Sequence, residues 1–156
     1  MERPPILPVV FATGFGSGFW PWGPGTAGAL VAVLVWMGLS FVLAPMQLLV
    51  STALLVVAFT LIGWWATDRL MPYWGEDPSR VVVDEMVGMW IALLPVPVVD
   101  WRFVVAAFLL FRFFDIVKPL GIRALDRKQG GFWVMADDIL AGLYSAAIIL
   151  LVLWVR

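Results

Sequence analysis

The chain has 156 residues, of which 63% are hydrophobic and only 13% charged, with a net charge of −1. That is about half the roughly 25% charged share of a soluble domain, too few charges to solvate a surface, so an integral membrane protein is expected and nothing points to a nucleic-acid partner. There is no Cys and no His, which excludes disulfides, thiolate and imidazole metal sites, a cysteine nucleophile and an imidazole base; chemistry here must run on carboxylates, hydroxyls, Arg/Lys, backbone dipoles or a hard metal ion.

In chain order, Met1 to Pro8 lacks a basic region followed by an apolar one, so no cleaved signal peptide is expected. Residues 11–28, FATGFGSGFWPWGPGTAG, are glycine-rich and uncharged and read as an ordered loop, with Thr26 as N-cap of the next helix. The run Ala27 to Ala44 carries no charge and is long enough to span a bilayer; Pro45 marks its end. A second uncharged run, Gln47 to Thr67, ends at Asp68-Arg69, and a polar turn, Gly75 to Arg80, follows. Val81 to Val99 reads as a third span, broken near its far end by Pro95 and Pro97. After the turn Asp100-Trp101-Arg102, Phe103 to Val117 returns as a fourth, carrying Arg112 and Asp115. Lys118 to Ala136 is basic and turn-rich, and Asp137-Asp138 opens a last apolar run, Ile139 to Val155. Most tryptophans fall near span ends, as interfacial anchors do.

The expected fold is therefore all-α: a polytopic membrane bundle of about five helices forming a single domain, 1–156, the third and fourth helices being two short spans or a re-entrant hairpin. With the N-terminus in the cytoplasm, eight of the ten Lys/Arg fall inside and only Arg102 and Arg156 outside, which fits the positive-inside rule. The same assignment gathers the polar groups at the cytoplasmic helix ends.

Asp84 and Glu85 sit inside an apolar stretch, where a carboxylate at the centre of a membrane helix costs about 2.5–3.5 kcal/mol. They are expected near its edge, with partners. Asp84 is followed four residues on by Gly88, and Asp138 by Gly142, so each acid has a small residue one turn away on the same face. Small residues let membrane helices approach closely, which would bring the two carboxylates together as ligands for a hard ion such as Mg²⁺ or Mn²⁺. The blander reading, acids complementing helix dipoles, accounts for one acid per helix and less well for two adjacent pairs. Arg112, Asp115 and Lys118 follow at i,i+3 spacing on one face; they suit phosphate recognition or form a self-neutralising salt-bridge ladder. The glycine loop lacks a Walker A signature; it either cradles an anion ahead of a helix N-terminus or only permits close packing.

Taken together, FGSGFWPWGPGTAG, DPSRVVVDEMVG, FRFFDIVKPLGIRALDR and GGFWVMADDILAG resemble, in order and over nearly the whole chain, the four blocks of the phosphatidylglycerophosphatase A family. The resemblance implies a multi-pass enzyme of the bacterial inner membrane, its active site facing the cytoplasm. Its reaction would be the Mg²⁺-dependent hydrolysis of phosphatidylglycerophosphate, a phospholipid, to phosphatidylglycerol and phosphate. It also implies roles: Asp84, Glu85, Asp137 and Asp138 as metal ligands, Asp115 or Asp68 as a further ligand or support, and Arg112 and Lys118 as catalytic cations. Gly25 and Thr26 would join those cations in binding the phosphate. One departure stands out: Gly121 replaces the second proline of a Lys-Pro-x-Pro pattern, so a looser turn after Lys118 is expected. The competing class is a small ion-coupled transporter or channel, which predicts charges spread through the bilayer depth. A CDP-alcohol phosphotransferase would need an Asp-Gly-x-x-Ala-Arg opening that the sequence lacks.

Overall fold

A computed structural model describes residues 3–97 and 100–156; Glu2 and the end of the expected third span, Val98-Val99, lie outside the described residues. Among the described residues there are seven α-helices and no strand: α1 Ile6–Ala12, α2 Pro24–Ser40, α3 Pro45–Trp74, α4 Val83–Leu93, α5 Trp101–Val117, α6 Ile122–Asp126 and α7 Gly131–Val155, with a 3₁₀ turn at Ser17–Phe19. The all-helical expectation holds.

Local sequence accounts for the boundaries. Pro24 and Pro45 stand at first helical positions, where the missing N–H costs nothing. Gly23, with φ +152°, is the N-cap of α2; Thr26 lies inside the first turn, not at the cap. Pro95 follows two residues after the end of α4, just beyond its C-cap Leu94. Asp100 caps α5 by accepting the Arg102 N–H at 3.2 Å. The start of α7 is capped across the fold: Asp68 Oδ1, on α3, accepts the Gly131 N–H at 2.7 Å. That tertiary cap explains two boundary errors together. α3 continues past Thr67 to Trp74, and α7 starts ahead of Ile139, so Asp137 and Asp138 sit about two turns inside the helix.

Among the described residues two helices, α3 with 30 residues and α7 with 25, are long and apolar enough to cross a membrane, and α2 is a shorter apolar helix. At about 1.5 Å per residue, α4 reaches only some 16 Å of a roughly 30 Å hydrocarbon core. It is instead the centre of the molecule. All of α4 is buried except Glu85, which is half-buried. Val83, Val87 and Ile91, one turn apart, pack with Ala66 and Leu70 of α3 and Met135 of α7, while Met86, Met89, Trp90 and Leu93 meet α2, α5 and α7. Trp90 is no interfacial anchor: it is 1% exposed and donates its indole N–H to the Ala32 carbonyl at 2.9 Å. The outer faces of α3 and α7, by contrast, expose Leu54, Val57, Leu61, Leu150 and Leu151, an apolar surface larger than water tolerates.

Candidate metal and phosphate site

The first turn of α4, the second turn of α7, the C-terminal end of α5 and the N-terminus of α2 converge on one cavity of about 410 Å³. α4 and α7 meet so closely because Gly88 and Gly142 face each other's backbones: a Cβ on Gly88 would sit 2.6 Å from the Asp138 carbonyl oxygen, and one on Gly142 would strike the Gly88 carbonyl oxygen. The small residues one turn from each acid therefore act as their spacing suggested.

This contact brings three acids together. Asp84, Glu85 and Asp138 each offer an oxygen, all within 4.8 Å of one another, a group that can hold a metal ion. Asp84 and Asp138 are 8% and 2% exposed. Each of the three also has a buried oxygen with no protein partner: Asp84 Oδ1, Glu85 Oε2 and Asp138 Oδ1. Burying a charged oxygen unpaired is costly, and three at one point add mutual repulsion. A hard cation would satisfy all three, and an all-oxygen donor set suits Mg²⁺ or Ca²⁺ better than a softer ion.

Asp137 stands apart from that trio. Its Oδ1 accepts the Asp138 N–H at 2.9 Å, and its Oδ2 accepts from Lys118 Nζ at 2.8 Å. Lys118 also donates to Asp126 at 2.7 Å, an acid that the reading of the sequence passed over although it lies in the same block. The expected ladder on α5 is thus broken after its first rung. Arg112 pairs with Asp115, but Lys118 has left the helix, capping it in a left-handed conformation at φ 52°. Burial opposes the charge on Lys118, yet its bonds to Asp126 and Asp137 outweigh it and hold the ammonium above its ordinary pKa. Gly121 follows at φ +91°, a conformation closed to proline. The turn is tied down by Tyr144, whose hydroxyl donates to the Leu120 carbonyl at 2.6 Å.

Beside the trio, Gly25 packs directly against the Glu85 carboxylate and the Arg112 guanidinium, leaving no room for a Cβ. Arg112 keeps a buried Nε without a protein partner. Only this end of the glycine loop, Gly23 to Gly25, lines the cavity. Gly14 and Gly18 pack against Met86, Val82 and the Arg80 backbone instead, and Thr26 lines a neighbouring apolar groove. Asp68, spent on the α7 cap, does not line the cavity either. The mouth is formed by Asp77, Arg127 and Lys128, none of which stood out in the sequence. Charges at the other end of the helices are few: Asp100 pairs with Arg102 at 3.3 Å and with Arg156 at 3.8 Å.

A family model described as phosphatidylglycerophosphatase A matches residues 10–153. Among curated relatives, a putative phosphatidylinositol-3-phosphatase of Bacteroides thetaiotaomicron is 58% identical over 99% of both chains. Phosphatidylglycerophosphatase A of Escherichia coli is 41% identical over 90% of this chain and 80% of its own length, and that of Haemophilus influenzae 38% identical over 90% and 85%. No solved structure matches the chain.

Proposed function

The chain belongs to the phosphatidylglycerophosphatase A family, and from that membership we propose that it hydrolyses the terminal phosphate monoester of phosphatidylglycerophosphate, with Mg²⁺ held by Asp84, Glu85 and Asp138, to give phosphatidylglycerol and phosphate in phospholipid biosynthesis. The observation that carries the reading is the trio of converging acids, each with a buried oxygen lacking a partner, beside two cations that face the same cavity. When bound, Mg²⁺ supplies positive charge against the phosphoryl oxygens and acidifies water.

The chain's own groups do the rest. Arg112, held by Asp115, presents its guanidinium to the phosphate, and the bare backbone at Gly25 leaves room for that guanidinium beside the Glu85 carboxylate. Lys118 has spent two donors on Asp126 and Asp137; its third is available to a phosphoryl oxygen. Asp137 thus serves to aim Lys118. Water adds to phosphorus and gives up a proton, the ester P–O bond breaks, and the leaving headgroup oxygen takes up a proton to become a hydroxyl, so that none is gained or lost overall, the charge that develops on the phosphoryl oxygens being met by both cations. Phosphohistidine and phosphocysteine routes are closed to a chain without His or Cys.

We take residues 1–156 as one membrane-embedded domain of the bacterial inner membrane with five passes, namely α2, α3, the segment that opens with the short and enclosed α4, α5 and α7, and with the cavity opening to the cytoplasm. The clustering of Lys118, Arg123, Arg127 and Lys128 at the cavity end supports that orientation. It also weighs against a transporter, which would spread its charges through the membrane depth.

A second substrate reading is favoured by one specific observation, the 58% identity with a protein named as a phosphatidylinositol-3-phosphatase. Phosphate release from phosphatidylglycerophosphate and from phosphatidylinositol 3-phosphate, in detergent micelles with Mg²⁺ and with EDTA, tests both. A rate with the first lipid at least tenfold above the second supports the main reading, the reverse supports the second, and release from neither, or release indifferent to EDTA, overturns the mechanism.

A further inference from the structure

The first turn of α2 divides two spaces. Pro24 and Gly25 face the charged cavity, whereas Thr26, Ala27, Leu30 and Leu34, which share one helix face, line an apolar groove of about 590 Å³. Gly23 lines both, so the groove and the cavity adjoin at that residue. Phe19, Trp20 and Trp22 form the opposite wall, with the two indoles edge to face at 5.6 Å. From Thr26 to Leu34 the groove follows α2 for about 12 Å.

We propose that this groove holds an acyl chain of the substrate lipid while its phosphate occupies the cavity, a subsite that rests on the lipid phosphatase reading above. An amphiphile needs a charged and an apolar compartment meeting at one point, and Gly23 is that point. A second apolar groove, between α3 and α7 around Leu61, Trp64, Phe132 and Ile139, shares no lining residue with the cavity and is the weaker candidate for a chain of the same molecule. A tail that leaves the bilayer for the groove exchanges one apolar medium for another, so little hydrophobic free energy is gained. What the groove supplies is contact that fixes the depth and direction of the headgroup.

The test uses the full chain in mixed micelles with two substrates: the long-chain lipid phosphate preferred by the wild type, and its deacylated headgroup phosphate. Leu30→Trp fills the groove, Trp22→Ala removes a wall, and Leu61→Trp fills the unconnected groove as a control. All three residues are exposed, at 48%, 85% and 58%, so the fold should tolerate the changes. Both groove variants should lose at least about fivefold in kcat/KM on the long-chain lipid, the low side of what fit of an apolar group yields, with the headgroup rate unmoved and Leu61→Trp like the wild type. Equal losses on both substrates, a loss confined to Leu61→Trp, or no loss at all overturns the proposal. As a readout independent of turnover, a lipid phosphate with a diazirine near its chain end should label residues 19–34, and unlabelled lipid phosphate, but not phosphatidylcholine, should compete. Labelling of α3 and α7 instead, or competition by phosphatidylcholine, counts against the subsite while leaving the phosphatase reading intact. If the wild type releases phosphate from neither substrate, the parent reading fails and takes this one with it.

Discussion

Gly142 lies so close to Gly88 that a methyl group on it would run into the Gly88 carbonyl oxygen. The α4–α7 contact is thus backbone against backbone, and it sits one turn from Asp84 and Asp138. Spacing of the helices and spacing of the carboxylates are the same quantity. Gly142→Ala should force the pair apart and cost about 1–3 kcal/mol, the usual range for overpacking. Its signature would be double: a lower Tm in detergent and a higher Mg²⁺ concentration for half-maximal activity. A lowered Tm with an unchanged Mg²⁺ midpoint would show that the helix contact does not set the site.

The acidic trio should behave oppositely in stability and in activity. Three carboxylates, each with a buried and partnerless oxygen, repel one another when no cation is present, so Asp84→Asn or Asp138→Asn should leave the metal-free protein equally or more heat-stable. Activity should fall at least about a hundredfold in either variant, and the Tm rise that Mg²⁺ gives the wild type should shrink. Melting curves with Mg²⁺ and with EDTA read this without any lipid. Two asparagine variants with undiminished Mg²⁺ stabilisation would remove the metal from the trio.

Much of this architecture was legible in the sequence because the relevant signals are local. Uncharged runs gave α2, α3 and α7, and the i,i+4 pairing of Asp84 with Gly88 and of Asp138 with Gly142 anticipated a close approach that the helices make. What escaped was set by contacts between distant residues. Nothing near Gly131 announces a helix start, because its cap is Asp68 on α3. Lys118 keeps helical spacing from Asp115 on paper, but the left-handed turn at Lys118, Leu120 and Gly121 swings it toward Asp126 and Asp137. Thr26 looks like a cap because Ser and Thr usually serve there, yet Gly23 and Pro24 start the helix three residues earlier.

Arg112 should not tolerate replacement by lysine. Its guanidinium bonds to Asp115 and still has a buried Nε without a protein partner, and Gly25 packs against Nη1. A lysine ammonium keeps the charge but loses the planar fork. Arg112→Lys should lose about a hundredfold in kcat, as expected for removal of a donor to the developing charge, with the Mg²⁺ midpoint unchanged. A loss below about fivefold would assign Arg112 to the salt bridge alone.

Asp137 offers the sharpest separation between holding a metal and aiming a cation. Its two oxygens are taken by the Asp138 N–H and by Lys118 Nζ, and it is buried, whereas Asp126, the other partner of Lys118, has a side chain 33% exposed. If Asp137 were a metal ligand, Asp137→Asn would raise the Mg²⁺ midpoint as Asp84→Asn does. If it aims Lys118, the midpoint stays put and kcat/KM for the lipid phosphate falls, about tenfold or more, while Asp126→Asn, which removes only the more solvated of the two bonds, causes a smaller loss in the same sense. The geometry predicts the second pattern. Mg²⁺ titrations of the two asparagine variants beside the wild type decide it, and a shifted midpoint for Asp137→Asn would return that residue to the metal.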